Sequence, residues 1–322
     1  MTQVVSNGAK GRLTMDNLVI VDLGSNSVRM AINEIRPDKT FREVGRYKED
    51  TRLSEGMGPE KKLQDAAIKR TLAALKHFRI LYQDLPNLTV KAITTAAVRQ
   101  ASNQADFLER VQREVGLTFD VLSGDDEAYY DYLGVMNRLR VEDALMLDIG
   151  GASLEMVNIR SGKESNLISI PFGAVNLSEQ FHLDDQINPA DFFDATVFLR
   201  QRLQDIWWLG EAKTKPFILL GGANRSLARM SRRQQQVLHV EQIHGYQLTT
   251  HEVFRLFSGL LRKNHEQRKQ ISGLEPDRAD IIVGGILPLV LLLQMLDSDR
   301  VIFSESGVRE GIINAYLNQD YN

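Results

Sequence analysis

Two stretches of the chain share one pattern of apolar and polar positions. Val19-Ile20-Val21-Asp22-Leu23-Gly24-Ser25-Asn26-Ser27-Val28-Arg29-Met30 and Leu145-Met146-Leu147-Asp148-Ile149-Gly150-Gly151-Ala152-Ser153-Leu154-Glu155-Met156 align in register, 126 positions apart. In each, an apolar run of strand length delivers an Asp to its end, Gly and Ser follow, and a second apolar strand begins. The pattern predicts two hairpins. Glycine lets the backbone approach a ligand, a tight turn aims N–H groups at phosphate oxygens, and a strand-end Asp takes Mg²⁺ or its waters. Either hairpin alone is equally a structural turn. Duplication in register points to a ligand shared across a cleft.

Periodicity fills in the rest. Residues 60–81 have helical spacing in Leu63, Ala67, Ile68, Leu72, Leu75 and Phe78, residues 88–94 read as a strand, 103–115 as a helix and 117–122 as a strand. Ser123 or Asp125 caps a helix running to about Leu139 that is expected to bridge the two halves; its acidic first turn suits the helix dipole. The second half repeats the plan, with a turn at Pro171-Phe172-Gly173, a long helix near 190–209 ending in Trp207-Trp208, and a strand 217–220 running into Gly221-Gly222-Ala223-Asn224-Arg225. Residues 281–296 are the longest apolar stretch, broken by Gly284, Gly285 and Pro288, and read as a buried helix too short for a bilayer span.

Alternating helices and strands predict an α/β protein. Its 322 residues suit two domains, expected at 1–133 and 134–322, with residues 1–16 a frayed leader and a C-terminal helix near 307–318 packing back on the first domain. A net charge of −3 with both signs interspersed excludes a general nucleic-acid binder or membrane-surface protein. The absence of cysteine removes disulfides, thiolate catalysis and Cys-type zinc sites, and fits a cytoplasmic location. The six histidines show no metal-ligand spacing.

The candidate chemistry is therefore carried by acids, turns and arginines. Gly24, Ser25, Asn26, Ser27 and Gly150, Gly151, Ala152, Ser153 form the candidate phosphate loops. Asp22, Asp148 and Glu155 are the candidate metal acids, the hairpin bringing Glu155 back beside Asp148; acids close together near phosphate call for a cation, and Mg²⁺ suits their hard oxygens. Glu127 is left free to take a proton from an attacking water, although an acidic first turn is also ordinary helix chemistry. Arg29, Arg99, Arg225 and Arg309 stand at or beside Gly- or Ser-bearing turns as candidate phosphate clamps, a role each shares with ordinary surface ion pairing.

In their order and spacing, several segments resemble the exopolyphosphatase and guanosine pentaphosphate phosphohydrolase family along nearly the whole chain. They are Asp22-Leu-Gly-Ser-Asn-Ser27, Thr95-Ala-Ala-Val-Arg99-Gln-Ala-Ser-Asn103, Leu122-Ser-Gly-Asp-Asp-Glu-Ala128, Asp148-Ile-Gly-Gly-Ala-Ser-Leu-Glu155, Phe172-Gly-Ala-Val-Asn-Leu-Ser-Glu179, Gly221-Gly-Ala-Asn-Arg225, Gly273-Leu-Glu-Pro-Asp-Arg-Ala-Asp280 and Ser304-Glu-Ser-Gly-Val-Arg-Glu-Gly311. The resemblance implies an actin-like pair of ribonuclease-H-like domains with an active site in the cleft between them. It implies Mg²⁺-dependent release of terminal phosphate from inorganic polyphosphate, or of the 5′ γ-phosphate from guanosine pentaphosphate. Polyphosphate is the expected substrate, because no residue identifies a guanine pocket. By position Glu127 matches the family's catalytic carboxylate, Asp148 and Glu155 its metal-associated acids, and Asp22 and Gly150 to Ser153 its phosphate loops; a homodimer is left open.

Three positions depart from the family pattern. Ala152 replaces a glycine, Leu154 a threonine and Asp126 a glutamate. An added methyl or a lost hydroxyl in a phosphate loop is expected to reduce turnover. A polyphosphate- or alarmone-binding sensor is accordingly the alternative from another class. An actin-like sugar or acetate kinase also carries paired hairpins, but needs ATP and an acceptor.

Overall fold

The computed structural model describes residues 15–318. Of the leader expected over 1–16, residues 1–14 lie outside the described residues, while Asp16 already opens the first strand.

The first sheet contains β1 (Asp16–Leu23), β2 (Val28–Ile35), β3 (Phe41–Glu49), β4 (Leu88–Thr94) and β5 (Asp120–Val121), in the order β3-β2-β1-β4-β5. β1 to β3 form an antiparallel meander, and β4 pairs parallel to β1. Helices α1 (Asp65–Tyr82), α2 (Ala96–Arg99) and α3 (Gln104–Val115) follow its strands, and α4 (Gly124–Met136) leaves it. The second sheet contains β6 (Ala144–Ile149), β7 (Leu154–Arg160), β8 (Lys163–Ile170), β9 (Phe217–Leu220), β10 (Gln247–Thr249) and β11 (Arg300–Phe303), in the order β10-β11-β9-β6-β7-β8. Its helices are α5 (Ala174–Gln180), α6 (Pro189–Gln204), α7 (Gly222–Gln234), α8 (Thr250–Leu261), α9 (His265–Lys269), α10 (Ile282–Met295) and α11 (Val308–Asn318). A meander followed by parallel strands occurs twice, which is the ribonuclease-H-like plan in duplicate. The pair makes an actin-like α/β architecture.

Both central strands are apolar at nearly every position because each is covered on both faces. In β1, Val19, Val21 and Leu23 join the core under α1 and α3, while Leu18 and Ile20 face Ile312 and Ile313 of α11. In β6, Leu145, Leu147 and Ile149 join the core that contains α10, while Ala144 and Met146 face Ala128 and Val135 of α4. The helices have therefore exchanged sheets. α4 emerges from the first sheet and packs on the second, and α11 emerges from the second and packs on the first.

The two exchanged helices meet backbone to backbone. A Cβ placed on Gly134 would stand 2.2 Å from the Gly307 carbonyl oxygen, and one on Gly311 would stand 1.9 Å from the Tyr130 carbonyl oxygen. No side chain larger than hydrogen fits either position.

Several sequence-based boundaries differ: the helix expected over 60–81 begins at Asp65 and the one expected to reach about Leu139 ends at Met136. The strand expected over 117–122 is reduced to Asp120–Val121, which pair only with Ile93 and Thr94 at the sheet edge. The helix expected to reach residue 209 ends at Gln204, because Ile206, Trp208 and Leu209 are all buried and the chain must turn to place them. Trp207 is left 80% exposed.

Gly311→Ala is expected to destabilise the protein by about 3 kcal/mol, since overpacking here must separate two backbones. Chemical denaturation of the purified variant measures it.

Candidate active site

The two duplicated turns are built alike. In each the first Gly N–H donates to the Ser carbonyl, Gly24 to Ser27 at 3.0 Å and Gly150 to Ser153 at 3.0 Å. They meet at their tips. A Cβ on Gly151 would lie 2.9 Å from the Ser25 Cβ and 3.4 Å from the Asn26 nitrogen. The first turn is held by Arg52 N–H on the Asn26 carbonyl and Ser54 N–H on the Ser25 carbonyl; the second by Ala174 and Val175 N–H groups on the Gly150 and Gly151 carbonyls.

Around these turns lies a cavity of about 940 Å³, part of it open to solvent. Asp22, Gly24 to Ser27, Asp148, Gly150, Gly151, Ser153, Glu127, Arg225 and Arg309 all line it, joined by Arg29, Asp131 and Arg278. The buried Asn26 amide has no hydrogen-bond partner at either end, so it is free for a ligand. Three candidates lie elsewhere. Ala152 is buried behind the turn, with its carbonyl taking Gln100 Nε2 at 3.1 Å. Arg99 and Glu155 sit behind the cavity wall.

Arg99 engages an acid instead of the open cavity. Its Nη1 donates to Glu127 Oε2 and to the Leu122 carbonyl, both at 2.9 Å, and its Nη2 lies 3.9 Å from Glu155 Oε1. Ser169 Oγ completes the bridge by donating to Glu155 Oε1 at 2.7 Å. Burial raises the Glu127 carboxyl to about 7, Asp148 and Asp22 add to the rise, and Arg99 opposes it. A carboxylate at that value can exchange a proton near neutral pH.

Strand pairing shows how the duplicated hairpins have diverged. Asp22 lies opposite Arg29, whereas Asp148 lies opposite Glu155. A like-charged pair facing across two strands is unfavourable. Burial holds both Asp148 and Glu155 above the usual carboxylate range, Glu155 far above it.

Arg29, Arg225 and Arg309 make no side-chain hydrogen bond or ion pair among the described residues, although Arg309 is only 7% exposed. Burial and mutual repulsion lower the Arg29 and Arg225 guanidiniums, Arg225 to about 9. Arg278 is tied to Glu275. These arginines also line a neighbouring cavity with Arg46, Lys48 and Arg229, a cavity that Glu127, Asp131 and Asp148 do not reach. The cleft thus has an acidic end and a cationic end. The sequence reading missed Asp131 and assigned no role to Arg278. Asp131 stands four residues after Glu127, one turn along the same helix face, and that spacing is the signal for it.

A divalent ion fits the acidic end. Asp22 and Asp148 offer hard oxygen donors from the two turns, and both Asp131 oxygens are buried beside Asp148 with no donor group bonded to them. No three acidic, His or Cys side chains converge into a ready cage among the described residues. Mg²⁺ needs only one or two carboxylates when water and phosphate complete its shell.

The departures from the family pattern lie away from the cavity. Leu154 is fully buried in the apolar core, and Asp126 accepts Ser123 Oγ at 2.6 Å as part of the helix cap.

A model of the Ppx/GppA phosphatase family matches residues 31–320. The chain belongs to this family. A bifunctional 3-dehydroquinate synthase/phosphatase of Fusobacterium nucleatum is 29% identical over 312 residues, spanning 91% of this chain and 46% of that protein. A guanosine-5'-triphosphate,3'-diphosphate pyrophosphatase of Vibrio campbellii is 27% identical over 294 residues, spanning 91% of this chain and 58% of that one. The chain spans about half the length of these curated relatives. The crystal structure of the Aquifex aeolicus Ppx/GppA family member superposes with a TM-score of 0.77 at 29% identity, covering 96% of this chain and 100% of that one.

Arg99→Gln is expected to raise the Glu127 value above about 7, because removing the positive charge favours the neutral carboxyl. An NMR titration of the Glu127 side-chain carboxyl carbon reads the shift.

Proposed function

We propose that this Ppx/GppA chain hydrolyses terminal phosphoanhydride bonds, with inorganic polyphosphate as substrate and Glu127 as general base. The observation that carries this reading is one cavity that joins two matched turns, a buried carboxylate near neutrality and three arginines without partners of their own.

The terminal phosphate sits against Ser25 to Ser27, Gly151 and Ser153. Glu127 takes a proton from a water in line with the terminal phosphorus, and the oxygen attacks as the bond to the shortened chain breaks. Arg99 holds Glu127 in place as a positioning residue. Arg225 and Arg309, with Arg29, pair with phosphoryl oxygens and gain the counter-charge that the protein does not provide. Mg²⁺, held by Asp22 and Asp148, would neutralise charge on the phosphoryl oxygens when bound. The cationic extension beyond Arg225 accommodates the next phosphates.

Guanosine pentaphosphate is the second substrate to test, since a relative at 27% identity is named for acting on it. Phosphate release from polyphosphate and guanosine pentaphosphate, with Mg²⁺ and with EDTA, ranks the two. Glu127→Gln should lower kcat by roughly 10²- to 10⁴-fold while polyphosphate still binds. Binding without release by the wild-type chain would instead support a sensor.

Arg225→Gln should weaken polyphosphate binding about tenfold or more, read as a rise in KM, because a charge-assisted contact of this kind contributes at least about 1.4 kcal/mol. An unchanged KM would remove Arg225 from the phosphate clamp.

A further inference from the structure

Asp131 is the acid in the cleft that the chemistry above leaves without a task. It projects from α4 one turn after Glu127, is 0% exposed, and lines the cavity beside Asp148. Neither of its oxygens accepts a hydrogen bond from a donor group of the protein, and within hydrogen-bonding reach stands the Asp148 carboxyl, which only a proton or a cation can join to it. The other acids differ in this respect. Glu127 has Arg99, Glu155 has Ser169 and Arg99, Asp22 lies opposite Arg29, and Asp148 feels Arg225 and Arg29. The charged groups that act most strongly on Asp131 are Asp148, Glu127, Glu155 and Asp22, all of them acids. On its remaining side is the Gly307 backbone, where a Cβ would stand 3.0 Å from Asp131 Oδ1.

An ionised carboxylate buried without a partner is costly, and it persists where it is paired or bound to a metal. Among the described residues no cationic side chain bonds to Asp131. We propose that Asp131 is a ligand of the divalent cation, sharing it with Asp148 at the base of the cleft. The proposal rests on the reading of this cleft as a cation site. On the Asp148 side of that site, with Asp22 across the cleft, it puts Asp131, which lines the cavity, in the place expected of Glu155, which is bonded to Ser169 and does not line it. Two carboxylates with water and substrate phosphate form a shell of the kind Mg²⁺ accepts.

The test is Mn²⁺ binding to the full chain by electron paramagnetic resonance, alone and with methylenediphosphonate, for wild type, Asp131→Asn, Asp148→Asn and Glu155→Gln. Circular dichroism and thermal unfolding check that each variant folds. The expected result is at least tenfold weaker Mn²⁺ binding for Asp131→Asn and Asp148→Asn, with a smaller change for Glu155→Gln. Removing an unpaired acid should also raise the unfolding midpoint of Asp131→Asn in EDTA and abolish its rise on adding Mg²⁺. If Asp131→Asn binds Mn²⁺ like wild type while Asp148→Asn does not, the cation site stands and Asp131 is a neutral hydrogen-bond donor to Asp148. If wild type binds no Mn²⁺ in either condition, the cation reading falls and the proposal with it. Should Asp131→Asn fail to fold, Asp131→Ser removes the same charge with less bulk, and the same outcomes apply.

Discussion

The positions of Glu127, Asp131 and Arg309 in the cleft depend on the contact between α4 and α11. Each helix rests on the sheet of the opposite half, and their backbones touch where Gly134 meets Gly307 and Gly311 meets Tyr130. α4 carries Glu127 and Asp131 into the cavity, and α11 carries Arg309. Acids and cation thus ride on one crossing whose separation is set by the absence of side chains. Close packing of this kind transmits displacement, so a change at the crossing moves both walls of the site together.

Around that frame, a duplicated hairpin has acquired opposite charges at equivalent positions. Arg29 faces Asp22 on one side, and Glu155 faces Asp148 on the other. The first places opposite charges across the strands without an ion pair between them; the second concentrates negative charge where burial already penalises it. Arg99 relieves part of that penalty by bridging Glu127 and Glu155, half-buried between them instead of lining the cleft. Meanwhile Arg29, Arg225 and Arg309 repel one another at the opposite end. A protein selected for stability alone would discharge both clusters. Their retention in one cavity fits a ligand that brings anionic groups to the arginines and a cation to the acids.

How much of this was legible in the sequence follows from the range of each interaction. The two turns and their Asp residues were visible because a hairpin is local and its glycine and serine positions are dictated by the turn. The buried 282–295 helix was visible from its apolar run. Arg99 was legible as a charged residue near a turn but not as the partner of Glu127, since that contact spans 28 positions and two elements. Asp131 was hidden by its neighbours: among Tyr129, Tyr130 and Tyr132 it passes for the polar side of an amphipathic helix until α11 covers it. The exchange of α4 and α11 between sheets is set by packing across the whole chain, which helical periodicity does not encode.

The departures at Ala152 and Leu154 illustrate the same limit from the other direction. By position in the motif they are loop substitutions, and a lost hydroxyl beside a phosphate should weaken its grip. Alternation along β7 decides otherwise for Leu154. Ser153 lines the cavity, whereas Leu154 enters the core with Leu145 and Leu147, so a larger apolar chain there adds burial and takes nothing from the turn. The Ala152 methyl is likewise buried behind the turn, whose Gly150–Ser153 closure matches the Gly24–Ser27 closure of its unsubstituted counterpart at 3.0 Å. The structural motive for a binding protein that has lost catalysis therefore weakens, because the substituted positions support the loop from behind and the groups facing the ligand are intact.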